Sequence, residues 1–380
     1  MFGFFKGDKE PKATPAQDEA AHQAAPQDNA ENLIEPGPGP APAPDDDLVF
    51  GSLKLVRAGQ GVDEHYETRW LIENVWIEGG TGMLAGMPKT GKTWVLVDMA
   101  VSIASGQPFL ETFKTRQGPV VIYSPEGPHA ELNKRIKQVA ARRGLDYKAL
   151  PIYCLKASLL RLDERDCQEN IERLVQTLAP AFMIFDPLAE CFGGDENRAA
   201  DIGPMVCWID HLARETNTAA CISHHMAKKD SGSMRGSGAL LSFGDNYIFM
   251  ERKGDRTSMS FLSRHSKSAD PVALRLTDRN GNPGYEIDAQ GQEELDLKNR
   301  ILEFLEAQGV PVTQRKIRDA CRGKTDRYKS ILDELRSEGE IRKVKEKWEY
   351  IRDSERDNNS EQTNPGDEAE SVGEGKDARD

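Results

Sequence analysis

The sequence has no apolar run long enough to cross a membrane and no cysteine pair at metal-binding spacing. A membrane-spanning helix needs ~20 consecutive, mostly apolar residues, and no stretch of the 380 residues approaches that length. The six cysteines are scattered without a C-x-x-C pair, which is typical of free thiols rather than of a disulfide framework or a zinc site. No extended apolar stretch follows the first six residues. We therefore expect a cytoplasmic protein without a secretory signal or a membrane partner.

The formal net charge of −13 is concentrated at the two ends of the chain. Residues 1–48 carry three lysines against ten acidic side chains, and residues 353–380 carry three basic side chains against ten acidic ones. Residues 296–352 instead hold 15 basic and 11 acidic residues. Because electrostatic attraction depends on the local surface, the acidic total does not exclude a nucleic-acid partner for the folded part.

Composition divides the chain into four segments. Residues 1–48 are rich in Ala, Pro, Gln and Asp, and residues 353–380 are acidic and polar. Both bury too little apolar surface to offset chain entropy, so we predict that they are disordered. Residues 49–295 have the pattern of one large domain and residues 296–352 that of a small one.

In the large domain, short apolar runs alternate with helical patterns. Such runs predict parallel strands covered by helices on both faces. After Asn246 the strand patterns follow one another closely, so the predicted fold class is α/β, with antiparallel strands appended at one edge of a mostly parallel sheet. The predicted strands are 82–85, 120–123, 181–185, 219–223, 247–252, 258–263 and 272–276, and the predicted helices are 94–104, 130–143, 169–178 and 205–215.

The small domain has three helical patterns followed by two short strand patterns. This order predicts a winged helix-turn-helix. Its recognition helix would present Lys324, Arg327 and Lys329 to duplex DNA, and the wing would add Lys345 and Lys347. Because the charge of this domain is nearly balanced, a protein-docking role stays open. The predicted helices cover 297–305, a segment beginning at 312–317, and 324–335, and the predicted strands cover 341–344 and 348–351.

Residues 86–93 fit the pattern G-x-x-x-x-G-K-[ST], between a predicted strand and a predicted helix. Backbone N–H groups of such a loop, together with the helix N-terminus, bind phosphate. Lys92 would reach the β- and γ-phosphates, and the Thr93 hydroxyl would ligate Mg²⁺, so we predict ATP and Mg²⁺ as ligands. A glycine turn with a chance lysine is the alternative, which the flanking strand and helix disfavour. The predicted nucleotide-binding residues are Gly86, Met87, Pro88, Lys89, Thr90, Gly91, Lys92 and Thr93.

Two carboxylates follow apolar runs that we predict to be parallel strands. Asp186 ends the run 181–185, where a Mg²⁺-binding aspartate belongs, although a turn aspartate before Pro187 is the alternative. Glu126 follows the run 120–123. Because parallel strands bring their carboxyl ends to one crevice, Glu126 would face the γ-phosphate and polarise water, and an ordinary loop glutamate is its alternative.

His224 and His225 end the fourth predicted strand. Adjacent strand residues point to opposite faces, and no cysteine pair accompanies them, which disfavours a zinc site. One of the two would contact the γ-phosphate or the attacking water while the other packs. A histidine satisfied within the core remains the alternative.

Residues 226–238 form a glycine-rich, basic stretch directly after this strand. Its backbone N–H groups and the side chains of Lys228, Lys229 and Arg235 suit the phosphates of single-stranded DNA. A solvated surface loop is the alternative.

Together these residues resemble the RecA-type ATPase core of the RepA-like hexameric helicases of plasmids and phages. The resemblance covers roughly Trp70 to Leu276. It implies that Lys92 and Thr93 bind phosphate and Mg²⁺, that Glu126 is the catalytic base, and that Asp186 is the Walker B acid. It also implies that His225 senses the γ-phosphate and that Arg235 lies in a DNA-facing loop. The motifs that carry the resemblance are residues 86–93, 123–127, 185–188, 194–197, 224–225 and 235–240.

Members of that family form rings in which a basic residue of one subunit completes the site of its neighbour. The resemblance therefore implies a homo-oligomer in which an isolated subunit hydrolyses ATP slowly, because such a finger contributes ~10³–10⁵ in rate. The candidates in this sequence are Arg252, Arg264 and Lys267, on the appended strands.

Three functions are compatible with these patterns. The first is a DNA-dependent ATPase motor, acting as a ring in the replication of a mobile element. The second is an ATP-switched DNA-binding regulator or loader, whose winged helix reads duplex DNA without separating strands. The third is an ATPase scaffold that recruits proteins and makes no DNA contact.

Overall fold

The computed structural model describes residues 48–51, 53–55, 67–157, 159–196, 198–226, 244–264, 267–321, 327–344 and 347–351. The chain divides into two compact units, residues 1–66 and residues 67–380. The described part of the first unit is an antiparallel hairpin of β1 (Leu48–Phe50) and β2 (Leu53–Leu55). Apart from Leu48, the two segments predicted to be disordered lie outside the described residues.

A nine-stranded mixed sheet forms the centre of the second unit. A short two-stranded ribbon, β3 (Trp70–Ile72) and β4 (Trp76–Ile77), precedes it. The strands of the sheet are β5 (Thr81–Gly86), β6 (Val120–Tyr123), β7 (Ile152–Cys154), β8 (Phe182–Phe185), β9 (Ala219–His225), β10 (Asn246–Lys253), β11 (Arg256–Ser263), β12 (Val272–Arg279) and β13 (Asn282–Ile287). They lie in the order β13-β12-β11-β10-β5-β9-β8-β6-β7. From β10 to β7 every pairing is parallel, and from β10 to β13 every pairing is antiparallel. The predicted α/β class with a mostly parallel sheet is therefore confirmed.

Four helices cover the two faces of this sheet. One face packs on α1 (Lys92–Ser105) and α2 (His129–Arg142), and the other on α3 (Arg165–Leu178) and α4 (Ala199–Thr216). The strands are apolar on both faces because both are covered: in β6, Ile122 packs with the α1 cluster and Val121 with the α3–α4 cluster.

Two consecutive arginines at the end of α2 join the helices to the rest of the large domain. Arg143 donates to Asp98 Oδ1 of α1 at 2.5 Å, and both side chains are buried. Arg142 donates to Thr277 Oγ1 and to Glu286 Oε2, each at 2.7 Å, on β12 and β13. The antiparallel strands β11–β13, which we call the extension, are thus tied back onto α2.

The C-terminal part of the chain is a small cluster of helices and strands with its own apolar core. Its elements are α5 (Ala289–Gln308), β14 (Val312–Thr313), α6 (Gln314–Cys321), α7 (Tyr328–Ser337), β15 (Ile341–Val344) and β16 (Lys347–Tyr350). The three strands pair in the order β14-β16-β15. Ile301 of α5, Leu335 of α7 and Trp348 of β16 lie together in the buried core, so the helices and the strands share one apolar centre.

Ion pairs attach this cluster to the turn between β10 and β11. Lys253 binds Glu338 of the segment that follows α7, and Glu338 also binds Lys298 of α5. On the other side of the turn, Arg256 binds Glu294 of α5. Charged side chains therefore help to hold the cluster against the large domain.

The structure differs from the sequence predictions mainly at strands. The sequence patterns do not predict β13, because Pro283 and Gly284 interrupt them. Proline is tolerated there because β13 is an edge strand and a missing N–H on its outer side breaks no ladder bond. The second C-terminal helix begins at Gln314, not near Val312, because Val312 and Thr313 pair with β16.

The helices α3 and α4 also begin earlier than predicted, at Arg165 and Ala199. Their first turns lack the apolar spacing that marks a helix, and Pro204 lies inside α4 without ending it. No helix of the described residues is both long enough and apolar enough to span a bilayer.

Candidate active site

The polar residues predicted for the site lie where neighbouring parallel strands end. Gly86, the last residue of β5, is paired with His225 at the end of β9. Tyr123 of β6 is paired with Phe185 of β8. Strands in this register deliver their following residues to one edge of the sheet, which brings Lys92, Glu126, Asp186 and His225 together.

The loop between β5 and α1 turns through two residues of positive φ, Lys89 at 66° and Gly91 at 91°. Thr90 closes the turn by donating its N–H and its hydroxyl to the Met87 carbonyl, at 3.3 and 2.9 Å. The first N–H groups of a helix have no acceptor within the helix. At the start of α1 these groups and the helix dipole form an anion-binding end.

The Lys92 side chain folds back onto this loop. Its Nζ donates to the carbonyls of Gly86 and Met87 at 2.9 and 3.2 Å, and it lies 2.9 Å from His225 Nδ1. Burial lowers the pKa of Lys92 to about 8, although the charges of Asp186 and Glu126 act in the opposite direction. Because an ammonium group only donates, a hydrogen bond from charged Lys92 requires His225 Nδ1 to be the acceptor.

Asp186 is buried and accepts hydrogen bonds from three hydroxyl groups. Thr93 donates to its Oδ2 at 2.8 Å and Ser124 to the same oxygen at 3.3 Å, while Ser223 donates to Oδ1. Sequence reasoning missed both serines. The signal was available, since Ser124 directly follows β6 and Ser223 lies near the end of β9.

The pair of Thr93 and Asp186 fits a magnesium ion. Their oxygens Oγ1 and Oδ2 are 2.8 Å apart. Adjacent ligands of an octahedral Mg²⁺ with bonds of about 2.1 Å lie about 3.0 Å apart, and Mg²⁺ takes few protein ligands beside phosphates and water. Among the described residues, no group of three or more His, Cys, Asp or Glu side chains forms a dedicated metal site.

Glu126 and the two histidines complete the surroundings of the loop. Glu126 is 56% exposed, and its Oε1 lies 3.9 Å from His225 Nε2. His224 is buried, with Nε2 3.3 Å from Glu196 Oε2. Burial lowers the pKa of His224, partly offset by Glu196. The structure thus positions His225 between Lys92 and Glu126 and directs His224 to a different carboxylate.

The three candidate finger residues occupy two different places. Arg252 donates to the carbonyl of Lys89 in its own loop at 3.4 Å. The backbone N–H of Arg264 bonds the carbonyl of Asp245, which precedes β10, so Arg264 lies at the far end of that strand. Lys267 follows three residues later and is exposed. Arg264 and Lys267 are therefore remote from the loop of their own chain.

Most of the predicted DNA contacts fall outside the described residues, namely Lys228, Lys229, Arg235, Lys324 and Lys345. Three others are described. Arg327, at the start of α7, lies 2.8 Å from Glu294 Oε1, so its guanidinium is engaged within the chain. Lys329 is exposed on α7, and Lys347 is exposed on β16.

One further residue contacts the loop although no sequence pattern predicted it. Tyr285 of β13 donates its hydroxyl to the Thr90 carbonyl at 2.9 Å, so the extension contacts the loop directly. The two residues are 195 positions apart in the sequence. Because the sequence patterns do not predict β13 itself, they do not predict this contact either.

Comparison with a protein family supports the class of this site. Residues 50–231 match a family described as "AAA domain". The match includes the loop at 86–93, Glu126, Asp186 and His225. A solved structure titled "ATPase Domain of G40P" is similar at 15% identity, over 55% of this chain and 86% of that chain, with a TM-score of 0.42. With the loop, the buried aspartate and the helix N-terminus in place, the chain contains a P-loop ATPase core.

Proposed function

We propose that this protein is a DNA-dependent ATPase motor of the helicase type, with ATP and Mg²⁺ as its ligands. The observation that carries the proposal is the meeting of Lys92, Thr93 and Asp186 with Glu126 and His225 at one sheet edge. A site that only bound nucleotide would need the first three. The exposed carboxylate of Glu126 beside His225 adds a group that accepts a proton from water.

Each residue has a distinct role in this proposal. The loop N–H groups and Lys92 bind the phosphates, and Lys92 exchanges its contacts with Gly86 and Met87 for phosphate oxygens. Thr93 and Asp186 hold Mg²⁺, which supplies charge stabilisation when bound. Glu126 orients the attacking water and takes its proton. Ser124 and Ser223 fix the carboxylate of Asp186.

His225 is proposed to link nucleotide state to DNA. It contacts Lys92 on one side and faces Glu126 on the other. Its neighbour Met226 donates its N–H to the Gly86 carbonyl at 3.3 Å, the same carbonyl that accepts from Lys92. The basic stretch proposed to bind single-stranded DNA continues from there. When Lys92 changes its contacts on phosphate binding, this change therefore takes place next to Met226, where that stretch begins.

The proposal also includes a homo-oligomeric ring with a finger supplied by the neighbouring subunit. A residue that acts on a neighbour's site lies away from the site of its own chain. By this criterion Arg264 and Lys267 are better candidates than Arg252, which contacts its own loop. Arg264 and Lys267 both remain candidates for this finger.

We further propose that α5–α7 with β14–β16 form a winged helix that binds duplex DNA. The order of helices and strands supports this proposal, as does the exposure of Lys329 and Lys347. The ion pairs of Lys253 with Glu338 and of Arg256 with Glu294 join these elements to the large domain and favour a second function, an ATP-switched DNA-binding regulator. In that function the winged helix is restrained on the large domain until these ion pairs are released.

Steady-state ATP hydrolysis by the full chain separates the two functions. We would measure it without DNA, with single-stranded DNA and with duplex DNA, beside Lys92→Ala. The motor predicts stimulation by single strands, lost in Lys92→Ala, and strand separation in the same buffer. Slow hydrolysis that is indifferent to single strands, with salt-sensitive binding to one duplex sequence, would favour the regulator. Absence of any salt-sensitive DNA affinity would leave an ATPase scaffold.

A further inference from the structure

The extension contacts the phosphate-binding loop through one buried hydroxyl group. Tyr285 is 5% exposed, and its Oη donates to the Thr90 carbonyl at 2.9 Å. A Cβ atom built on Gly91 would lie 2.2 Å from this oxygen. The hydroxyl is therefore packed directly against the peptide that joins Thr90 to Gly91.

The direction of that peptide decides where the next N–H points. A trans peptide is planar, with its C=O and N–H on opposite sides. Because the Thr90 carbonyl is held toward β13, the N–H of Gly91 is directed away from β13, to the side of the loop that the extension leaves open. In a P-loop, N–H groups on that side bind phosphate. Fixing the carbonyl thus prepares one of the phosphate donors.

The Tyr285 side chain is itself held in place. Its two neighbours in β13 contact Arg142 of α2: Glu286 accepts from Nη2 at 2.7 Å, and a Cβ on Gly284 would lie 2.8 Å from the Arg142 Cδ. Burial also raises the pKa of Tyr285, so the hydroxyl keeps its proton and remains a donor. Arg252 holds the adjacent carbonyl of Lys89 at 3.4 Å from an exposed position, a weaker contact.

We infer that Tyr285 is a positioning residue of the nucleotide site, which fixes the Thr90–Gly91 peptide so that the Gly91 N–H is oriented for phosphate before the nucleotide arrives. The inference rests on the proposed function in one respect, namely that the ligand of this loop is a nucleotide. Tyr285 itself contacts no reacting atom. It acts on binding of the phosphates, and ADP and ATP are affected alike.

The test compares Tyr285→Phe with Tyr247→Phe in the full chain. Phenylalanine keeps the ring and removes the hydroxyl, which donates to the Thr90 carbonyl and also forms a hydrogen bond with Thr257. We expect Tyr285→Phe to raise the Kd for both ADP and ATP about five- to tenfold, the size of one lost hydrogen bond to a loop carbonyl. We expect kcat at saturating ATP to stay within about twofold, since uniform binding affects KM alone. Tyr247 is the matched control, because it is buried in β10 and its hydroxyl also bonds a carbonyl, that of Gly244 at 3.4 Å.

A role that is only structural would lower the melting temperature of Tyr285→Phe and leave both Kd values unchanged, which would overturn the inference. So would a fall in kcat at an unchanged Kd. Arg252→Met is a second variant of the same loop, and its Kd should rise by about twofold because the contact is longer and exposed. Lys92→Ala distinguishes failure of the inference from failure of the proposed function. If Lys92→Ala loses nucleotide binding while Tyr285→Phe keeps the Kd values of the wild type, the inference alone fails. Normal binding by Lys92→Ala would refute the proposed function.

Discussion

The two halves of the large sheet contribute to the same loop in different ways. On the parallel side, the residues at the ends of β6, β8 and β9 carry charge or a titratable ring: Glu126, Asp186 and His225. On the antiparallel side, β13 supplies one neutral hydroxyl to a backbone carbonyl, from Tyr285 to Thr90. The first half holds groups that we propose to act on a nucleotide, and the second holds a group that contacts the loop.

This difference follows from topology. Parallel strands all end at one edge, so their following residues converge on a ligand in the crevice. Antiparallel strands alternate in direction, and only every second strand brings its end to that edge. The extension therefore supports the loop laterally, through side chains in the middle of strands, and is anchored to α2 by Arg142. A variant of Glu126 should therefore change kcat, whereas a variant of Tyr285 should change the Kd for the nucleotide.

The largest effect is expected on the parallel side, from Glu126→Gln. The amide keeps the size of the side chain and cannot take a proton from water, so kcat should fall about 10²–10⁴-fold. The Kd for ATP should be unchanged, in contrast to Tyr285→Phe. Steady-state kinetics and equilibrium nucleotide binding measure the two quantities.

Glu131→Gln is the control for this variant, because Glu131 is a nearby glutamate of α2 that pairs with Lys134 on the surface. Its kcat should be that of the wild type. A Glu126→Gln protein with wild-type kcat would show that Glu126 takes no part in hydrolysis. The proposed difference between the two halves of the sheet would then fail on the parallel side.

The next effect concerns stability and compares two neighbouring arginines. Arg143→Leu leaves Asp98 buried without its cation, since that carboxylate is only 5% exposed, and should cost about 3–5 kcal/mol of unfolding free energy. Arg142→Leu should cost less, about 1–3 kcal/mol, because Glu286 is 34% exposed and keeps Arg279 at 2.7 Å. Urea unfolding followed by circular dichroism measures both.

The order of the two arginine variants is the informative result. A larger loss for Arg142→Leu would mean that the extension, rather than the contact of α1 with α2, limits the stability of the domain. Arg165→Leu is the surface control. Its partner Glu169 is exposed, and the change should cost no more than about 0.5 kcal/mol.

The smallest effect is a pH dependence of nucleotide affinity that originates at Lys92. Its pKa is about 8 in the free protein, and a bound phosphate raises that pKa by its charge. Below pH 8 the lysine is charged in both states, so affinity is flat. Above it, binding must take up a proton, and affinity should fall by up to about tenfold per pH unit.

Titration of the Kd between about pH 7 and about pH 9.5 tests this dependence. Lys92→Arg is the control, because a guanidinium stays charged over the whole range, and its Kd should have no such slope. An affinity of the wild type that stays constant over that range would show that the charge of Lys92 does not respond to the ligand.

The sequence best predicted those parts of the site that consecutive residues form. The loop at 86–93 and the aspartate after an apolar run are local patterns. Buried runs of β-strand length predicted the parallel half of the sheet except for β7, which is not fully buried and was not predicted. The extension was harder to predict. Its last strand contains Pro283 and Gly284, which local propensity assigns to a turn, and only its place at the edge of the sheet makes it a strand.

Contacts across the fold had no local signal at all. Tyr285 contacts Thr90, 195 positions away in the sequence, and Arg252 contacts Lys89, 163 positions away. Arg252 stays a candidate for acting on a neighbouring subunit, and the structure adds that its side chain contacts its own loop. Ser124 and Ser223 are intermediate cases, since each stands at a strand end but its bond to Asp186 depends on strand order.

The most direct test of the account is equilibrium binding of ATP to the full chain, with and without Mg²⁺, for the wild type, Lys92→Ala and Asp186→Asn. We predict tight binding that Mg²⁺ strengthens in the wild type, loss of binding in Lys92→Ala, and loss of the Mg²⁺ effect in Asp186→Asn. Binding by Lys92→Ala that equals the wild type, with the same response to Mg²⁺, would contradict the assignment of this sheet edge as the nucleotide site.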